Sequence, residues 1–289
     1  MKFGDELIIL VDRLRNRNRL WDLPNALSLA SNNPESLSEL DDYLTICKLA
    51  SQDDKFFKKF RSCSSYRAIL ENVDGKSGLE LVNAFDRLGK DVSQFEYLWH
   101  GEIGAPYRYH VKRVGYVSPT ELRYSKIIVE LETLFGSLDS YSISEIGVGF
   151  GGQGGQILAR SNVKSYEFID LVEPLGLVKR YLKEIQQLDK AVFTTPSDLQ
   201  KGRRDLVISN YAFSELNREL QESYFEKVVS QSTGGFVIYN HITPPSYKTM
   251  TATEFASRIP NSEIFSETPL SYPGNVVVTW GHSGSLGEE

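Results

Sequence analysis

The chain has 289 residues, 40% apolar and 24% charged, with a formal net charge of −6, enough to bury one large core or a core with a substantial cap. The acidic balance argues against a broad phosphate-binding surface and therefore against a nucleic-acid partner. No uninterrupted apolar stretch approaches the ~18 residues of a membrane span, and Cys47 and Cys63, the only cysteines, show neither metal-site spacing nor a disulfide framework.

The start, MKFGDELIILVDRLRNRNRL, has a short apolar run broken by Asp12 and Arg13, which reads as an amphipathic helix and not as a signal peptide. No membrane insertion and a cytoplasmic location are the resulting expectations. Apolar positions at helical intervals predict helices over 3–15, 36–50, 54–72 and 78–88. Ser36 or Ser38 is placed to cap the second, and Asp53 or Asp54 the third. Breaks are expected at Asn32-Asn33-Pro34 and from Asp74 to Gly78. The basic run Lys55 to Arg61 (KFFKKFR) interleaves phenylalanines at helical spacing, as a helix with buried aromatics and solvated cations would.

Residues 95–117, rich in aromatics, glycine and proline, predict a long connecting segment packed over something. Ser118-Pro119-Thr120-Glu121 then reads as a capping box with proline in the first helical position. Leu122, Ile127, Leu131 and Leu134 form the apolar stripe of that helix, and Gly136 ends it. From there short apolar strands alternate with helices. Strands are expected at 143–147, 166–171, 190–194, 205–209 and 235–240, and helices at 152–161, 174–186 and 216–231. A final antiparallel hairpin is expected over 263–268 and 275–280. This alternation predicts an α/β fold with a mostly parallel sheet covered on both faces. Its reversed last strand distinguishes a Rossmann-like class I methyltransferase sheet from the all-parallel dinucleotide-binding form. Two regions follow: 1–117, a helical N-terminal or cap region with its aromatic connecting segment, and 118–289, the cofactor-binding domain.

After the strand ISEIG comes Gly147-Val-Gly149-Phe-Gly151-Gly152, then the helix 152–161, with Gly147, Gly149, Gly151, Gly152 and Gln153 as candidate cofactor contacts. Glycines there let the chain reverse tightly while a ligand approaches the backbone, and the helix N-terminus offers free N–H groups. The next strand closes on Asp170 and Leu171, where a carboxylate is placed to accept both hydroxyls of a ribose. Together these point to a nucleoside cofactor. The spacing Gly147-x-Gly149-x-x-Gly152 alone also fits NAD, so an NAD(P)-dependent sugar-modifying oxidoreductase is the alternative. Glu145, two positions before the first glycine, weighs against that alternative unless it merely points to solvent. Methyltransferases use an acid there for the amino end of the methionine moiety, whereas NAD enzymes usually keep that position apolar. With no Tyr-x-x-x-Lys pair in the chain, S-adenosyl-L-methionine is the expected cofactor. A non-catalytic cofactor-binding subunit is the third reading.

Six strings, SPTELRYSKIIVELETLFG (118–136), SEIGVGFGGQ (144–153), DLVEPLGLVKRYL (170–182), NYAFSEL (210–216), GGFVIYNHI (234–242) and ETPLSYPGNVVVTWG (267–281), resemble the sugar O-methyltransferase family. The resemblance covers roughly 95–281 and is most specific in SPTxLRY and NYAFSEL. It implies S-adenosylmethionine as cofactor and a sugar hydroxyl as acceptor, in glycan or surface-polysaccharide biosynthesis, with a small-molecule or glycan partner.

Methyl transfer to a hydroxyl needs alignment and a base. His241, at the end of the fifth strand, is the first candidate for that base because its ordinary pKa suits neutral pH, unless it is held there structurally. Glu215 is the second, as base or as the partner orienting His241; its other reading is a first-turn carboxylate. Asn210 is assigned to the cofactor and Asn240 to the acceptor, although each residue type also ties down loops. Asp198 is placed to contact the adenine amino group, or simply to form a turn. Arg123, Tyr124 and Tyr211 are candidate acceptor contacts, and His100, Tyr107 and His110 a candidate acceptor wall. Glu215, Glu219 and Asp198 form no tight carboxylate cluster of the kind a hard cation wants, so no metal is expected. A homo-oligomer is compatible with the sequence.

Overall fold

The computed structural model describes residues 11–12, 14–17, 19–23, 42–98 and 103–286. Most of the first expected helix, the expected caps Ser36 and Ser38 and the break at Asn32 to Pro34 lie outside these. Helices α1 (Tyr43–Gln52), α2 (Asp54–Phe57), α3 (Ser64–Leu70) and α4 (Gly75–Arg87) follow in order. Next come a short antiparallel hairpin, β1 (Tyr109–Val111) with β2 (Gly115–Val117), and the long helix α5 (Pro119–Phe135). The alternating part comprises β3 (Ser142–Ile146), α6 (Gly152–Arg160), β4 (Ser165–Ile169), α7 (Val172–Glu184), β5 (Ala191–Thr194), β6 (Arg204–Asn210), α8 (Arg218–Lys227) and β7 (Ser232–Tyr239). It closes with α9 (Ala252–Ser257), β8 (Glu263–Ser266) and β9 (Val276–Trp280).

One sheet runs β5-β4-β3-β6-β7-β9-β8. Strands β3 to β7 pair in parallel, and β9 is inserted antiparallel between β7 and β8. This is the Rossmann-like α/β sheet with the reversed strand that the sequence predicts. Ile143, Phe168, Ile208 and Phe236 are buried in the central strands, as a sheet covered on both faces requires. The strand order reverses at β3, with β4 on one side and β6 on the other. A crevice therefore opens at the carboxyl ends of these strands.

The N-terminal helices share their core with the sheet. Ile46, Phe60, Tyr66 and Phe85 belong to the same buried cluster as Phe150, Leu177 and Phe236. Helix α1 packs on α7, and α4 on α5. Between these layers lies Arg61, fully buried. Its Nε is 2.5 Å from Glu71 Oε1, its Nη1 2.8 Å from Glu121 Oε1, and its Nη2 donates to Ser118 Oγ at 3.1 Å. The guanidinium lies 4.5 Å from the ring centre of Phe150, in the glycine turn.

Arg61 explains two departures from the sequence reading. No side-chain cap forms at Ser118, because both polar members of the expected capping box turn to the guanidinium. The helix expected over 54–72 is cut into α2, a 3-10 turn at Phe60–Ser62 and α3, since the chain must swing Arg61 inward. Lys55 and Lys58 stay exposed and Phe57 and Phe60 are buried, as expected, but the last cation of the run is not solvated.

The break expected from Asp74 to Gly78 is instead the start of α4. Asp74 Oδ1 accepts from Ser77 N at 2.9 Å, and glycine stands at 78 within the helix because a Cβ there would lie 2.9 Å from Val111 Cγ2. Within the segment expected to be a connector packed over something, β1 and β2 form that hairpin, and β1 packs against α4. Asp53 does cap α2, accepting from Lys55 N at 2.7 Å. Helix α9, capped by Thr251, is an element the periodicity does not announce. Among the described residues, no helix is long and apolar enough to cross a membrane.

Candidate active site

A cleft of about 550 Å³ opens over the carboxyl ends of β3, β4, β6 and β7. Its floor is the turn after β3. Gly147, Gly149 and Gly151 all have positive φ (77°, 57° and 88°), which a residue with a side chain adopts only at a cost. Close approach adds a second demand at Gly147, where a methyl group would lie 1.9 Å from that of Ala212. Gly147, Val148 and Gly149 line the cleft. Gly151 and Gly152 serve packing: side chains there would strike Val178, and Tyr124 with Phe150. Gln153 is buried beneath them, its amide donating to the Tyr124 carbonyl at 3.2 Å.

Two acids flank the floor. Asp170 accepts from Val148 N at 2.8 Å and from Leu171 N at 2.7 Å. Burial pushes its carboxyl up to about 6 against the pull of the Leu171, Val148 and Gly149 N–H groups. Glu145 is buried and receives the Tyr166 hydroxyl at 2.8 Å. Burial raises it to about 8, opposed by that hydrogen bond. An acid held in this state lacks a cation and would ionise beside one. Both carboxyls and Leu171 line the cleft.

On the other side of β3, the ends of β6 and β7 supply Asn210, Tyr211, Glu215 and Asn240. Asn210 Oδ1 is buried without a hydrogen-bond partner, which is costly unless a ligand donor meets it. Tyr211 holds φ 71° and ψ −35°, a strained backbone for a bulky residue. It is fixed by Tyr211 N donating to the Ile238 carbonyl at 3.0 Å and by its hydroxyl donating to Glu267. Glu215 Oε1 receives Asn240 Nδ2 at 2.5 Å, and Asn240 Oδ1 in turn receives Ser214 Oγ at 3.1 Å. Burial raises the Glu215 carboxyl above the ordinary glutamate range, and the Asn240 amide opposes this.

Arg123 and Tyr124 also line the cleft, whereas His241 and Asp198 do not. His241 is exposed, beside the loop at Gly274. Asp198 is exposed and accepts from the Thr195 hydroxyl at 2.6 Å within its own turn. His100 lies outside the described residues. Tyr107 is covered by the Arg67 guanidinium at 3.6 Å, and His110 is exposed on β1; neither lines the cleft. Several lining residues escaped the sequence reading. Tyr43 and Leu70 come from α1 and α3, Asn72 from the connection between α3 and α4, and Glu267, Tyr272 and Asn275 from the last hairpin and its loop. For Glu267 and Asn275 a signal existed, two polar residues bracketing the turn Ser271 to Gly274. Among the described residues, no group of three His, Cys, Asp or Glu is placed to hold a metal ion.

No protein-family model matches the sequence, and no curated protein matches it. Solved structures do. One is a candidate RNA methyltransferase from Pyrococcus horikoshii, 16% identical, TM-score 0.38, covering 56% of this chain and 81% of that one. Another is a candidate rRNA methylase from Clostridium thermocellum, 10% identical, TM-score 0.42, covering 54% and 94%. A third is PKMT2 from Rickettsia typhi in complex with AdoHcy, 20% identical, TM-score 0.32, covering 39% of this chain and 25% of that one. At these values the likeness carries no argument about activity.

Proposed function

We propose that the cleft binds S-adenosylmethionine and that the protein is an S-adenosylmethionine-dependent O-methyltransferase acting on a hydroxyl of a sugar or glycan. The observation that carries this reading is the pairing, in one cleft, of a nucleoside-type floor with a buried carboxyl. Gly147, Gly149, Asp170 and Glu145 form the floor, and Glu215 stands on the far side of β3. The residues fit the cofactor. Asp170 suits a ribose diol, and Glu145 and the unpartnered Asn210 Oδ1 suit an ammonium group. The cofactor supplies an electrophilic methyl group when bound. Glu215 takes the acceptor hydroxyl proton, and Asn240 orients the carboxylate.

Family resemblance supports a sugar acceptor, as does the exposed ring of Tyr272 beside the cleft-lining network of Glu267, Ser271 and Asn275, in which Asn275 Oδ1 is left without a hydrogen-bond partner. The Glu215 and Glu267 carboxyls in the cleft favour a small-molecule or glycan acceptor over nucleic acid. In this reading residues 1–117 form a helical cap whose Tyr43, Leu70 and Asn72 complete the cleft of the 118–289 domain.

Calorimetric titration with S-adenosylhomocysteine, with NAD⁺ as a parallel control, tests the cofactor. Micromolar binding of the former, lost in Asp170→Ala, is expected. A response to NAD⁺ alone would favour the oxidoreductase, and binding without turnover of any sugar the non-catalytic subunit. A second expectation concerns protons. At pH 7 Glu145 is mostly protonated, and a bound ammonium ionises it. S-adenosylhomocysteine binding therefore releases a proton, seen as a dependence of the binding heat on buffer ionisation enthalpy. Glu145→Gln should remove that dependence; an unchanged dependence would mean that Glu145 does not meet the ammonium.

A further inference from the structure

Arg123 is a partly buried cation in the cleft that the fold leaves underused. Its neighbours in charge are satisfied: Arg61 pairs with Glu71 and Glu121, and Lys126, one turn along α5, with Glu130 at 2.6 Å. Arg123 Nη2 donates to the Leu70 carbonyl at 3.3 Å, and no ion-pair partner appears for it among the described residues. A guanidinium carries five N–H donors, so most of its capacity is left to the cleft. The rings of Tyr211 and Tyr124 stand 5.7 and 6.0 Å from its central carbon. They wall it in without accepting strong hydrogen bonds. Glu71 and Glu267 act on it only through space, and keeping a cation in such a place without an anion in hydrogen-bond contact is costly.

The position of the guanidinium says where its anion comes from. Leu70, whose carbonyl it touches, also roofs the glycine turn: its Cδ1 lies 3.0 Å from where a Cβ on Gly149 would be. Tyr211, whose ring it faces, precedes Ala212, the residue that closes on Gly147. Arg123 is thus bracketed by Leu70, which sits on the turn, and by Tyr211, the chain neighbour of the residue that closes on it. On the acceptor side stand Glu215 and Glu267, which would repel an anionic acceptor.

We infer that Arg123 clamps the carboxylate of the cofactor's amino-acid end, with Glu145 as the partner of its ammonium, so that the cleft reads a zwitterion. This moves Arg123 from acceptor contact to cofactor contact, and it rests on the cofactor reading above. The fork of N–H groups suits a carboxylate in bidentate fashion, which lysine does not reproduce.

The test compares S-adenosylhomocysteine with its decarboxylated analogue, which keeps the adenosine and the amine, by calorimetry on the full chain. Wild type is expected to bind the carboxylate-bearing ligand on the order of tenfold to a hundredfold more tightly. Arg123→Met should lose that preference by weakening only the carboxylate-bearing ligand, and Arg123→Lys should keep part of it. The comparison within the wild type stands even where a variant fails to fold. Equal affinity of the wild type for both ligands overturns the assignment. So does an Arg123→Met protein that keeps the preference, even if its acceptor KM rises, which would give the anion to the acceptor. Absence of wild-type binding to either ligand would instead sink the cofactor reading, and this inference with it.

Discussion

Arg61→Met is expected to destabilise the protein by about 3–5 kcal/mol, the usual consequence of removing one partner of a buried ion cluster. The change leaves Glu71 and Glu121 buried among apolar neighbours with their cation gone. It also leaves Ser118 Oγ without its donor and the Phe150 face without its guanidinium. Burial already raises the Glu121 carboxyl and only Arg61 holds it down to any large extent. Without that cation its proton affinity rises further. A carboxyl raised in the folded state contributes stability at low pH that is lost as pH rises through its folded pKa. The variant should therefore regain more stability on acidification than the wild type does, because Arg61 keeps the wild-type Glu121 carboxyl from rising as far. Stabilities of natural domains are about 5–15 kcal/mol, so the loss is a large share of the total. Urea unfolding at several pH values measures it. The triple change Arg61→Met, Glu71→Gln and Glu121→Gln should recover much of the loss, because it removes the stranded charges along with the cation. A single-variant loss under about 1 kcal/mol would place Arg61 among surface-like pairs and sink the idea that it locks the N-terminal helices to the glycine turn.

The same residue shows where the sequence was readable. Strands β3 to β7 and β9 announce themselves because their apolar runs are short, bounded by turn residues and filled by local demand. Segments whose conformation is decided by distant partners do not. Ser118 and Glu121 have the spacing of a capping box, but a buried guanidinium from another part of the chain outcompetes the backbone N–H groups. Gly75 and Gly78 look like a break because glycine lowers helix propensity. Their real constraint is space, since Tyr109 and Val111 press on them.

In the candidate site, the floor was legible because turn geometry forces glycine at Gly147 and Gly149 and charge forces attention to Glu145 and Asp170. Tyr43 and Leu70 were not, because on a helix with an apolar stripe a cleft-lining residue looks like a core residue. Residue type ranked His241 before Glu215, but only Glu215 lines the cleft. Their order depends on a side-chain direction at the strand ends that no spacing encodes.

That ranking is the most direct kinetic test of the proposed activity. Glu215→Gln is expected to lower kcat by about 10²–10⁴-fold, the range for loss of a general base, with S-adenosylhomocysteine affinity retained. His241→Gln should leave kcat close to that of the wild type, because its side chain stands exposed outside the cleft. A base works in its deprotonated form, so activity falls as pH drops through the Glu215 pKa. Burial sets that pKa above the ordinary glutamate range. The acid limb of the kcat profile should accordingly lie higher than an exposed glutamate would give, and should vanish in Glu215→Gln. Asn240→Ala removes the hydrogen bond that holds the pKa down, so it should move the limb upward while leaving a base in place. A structural role for Glu215 would lower rate and stability together and leave the limb where it was. Should His241→Gln instead carry the large loss, the exposed imidazole must swing inward during turnover, and the base assignment would pass to it.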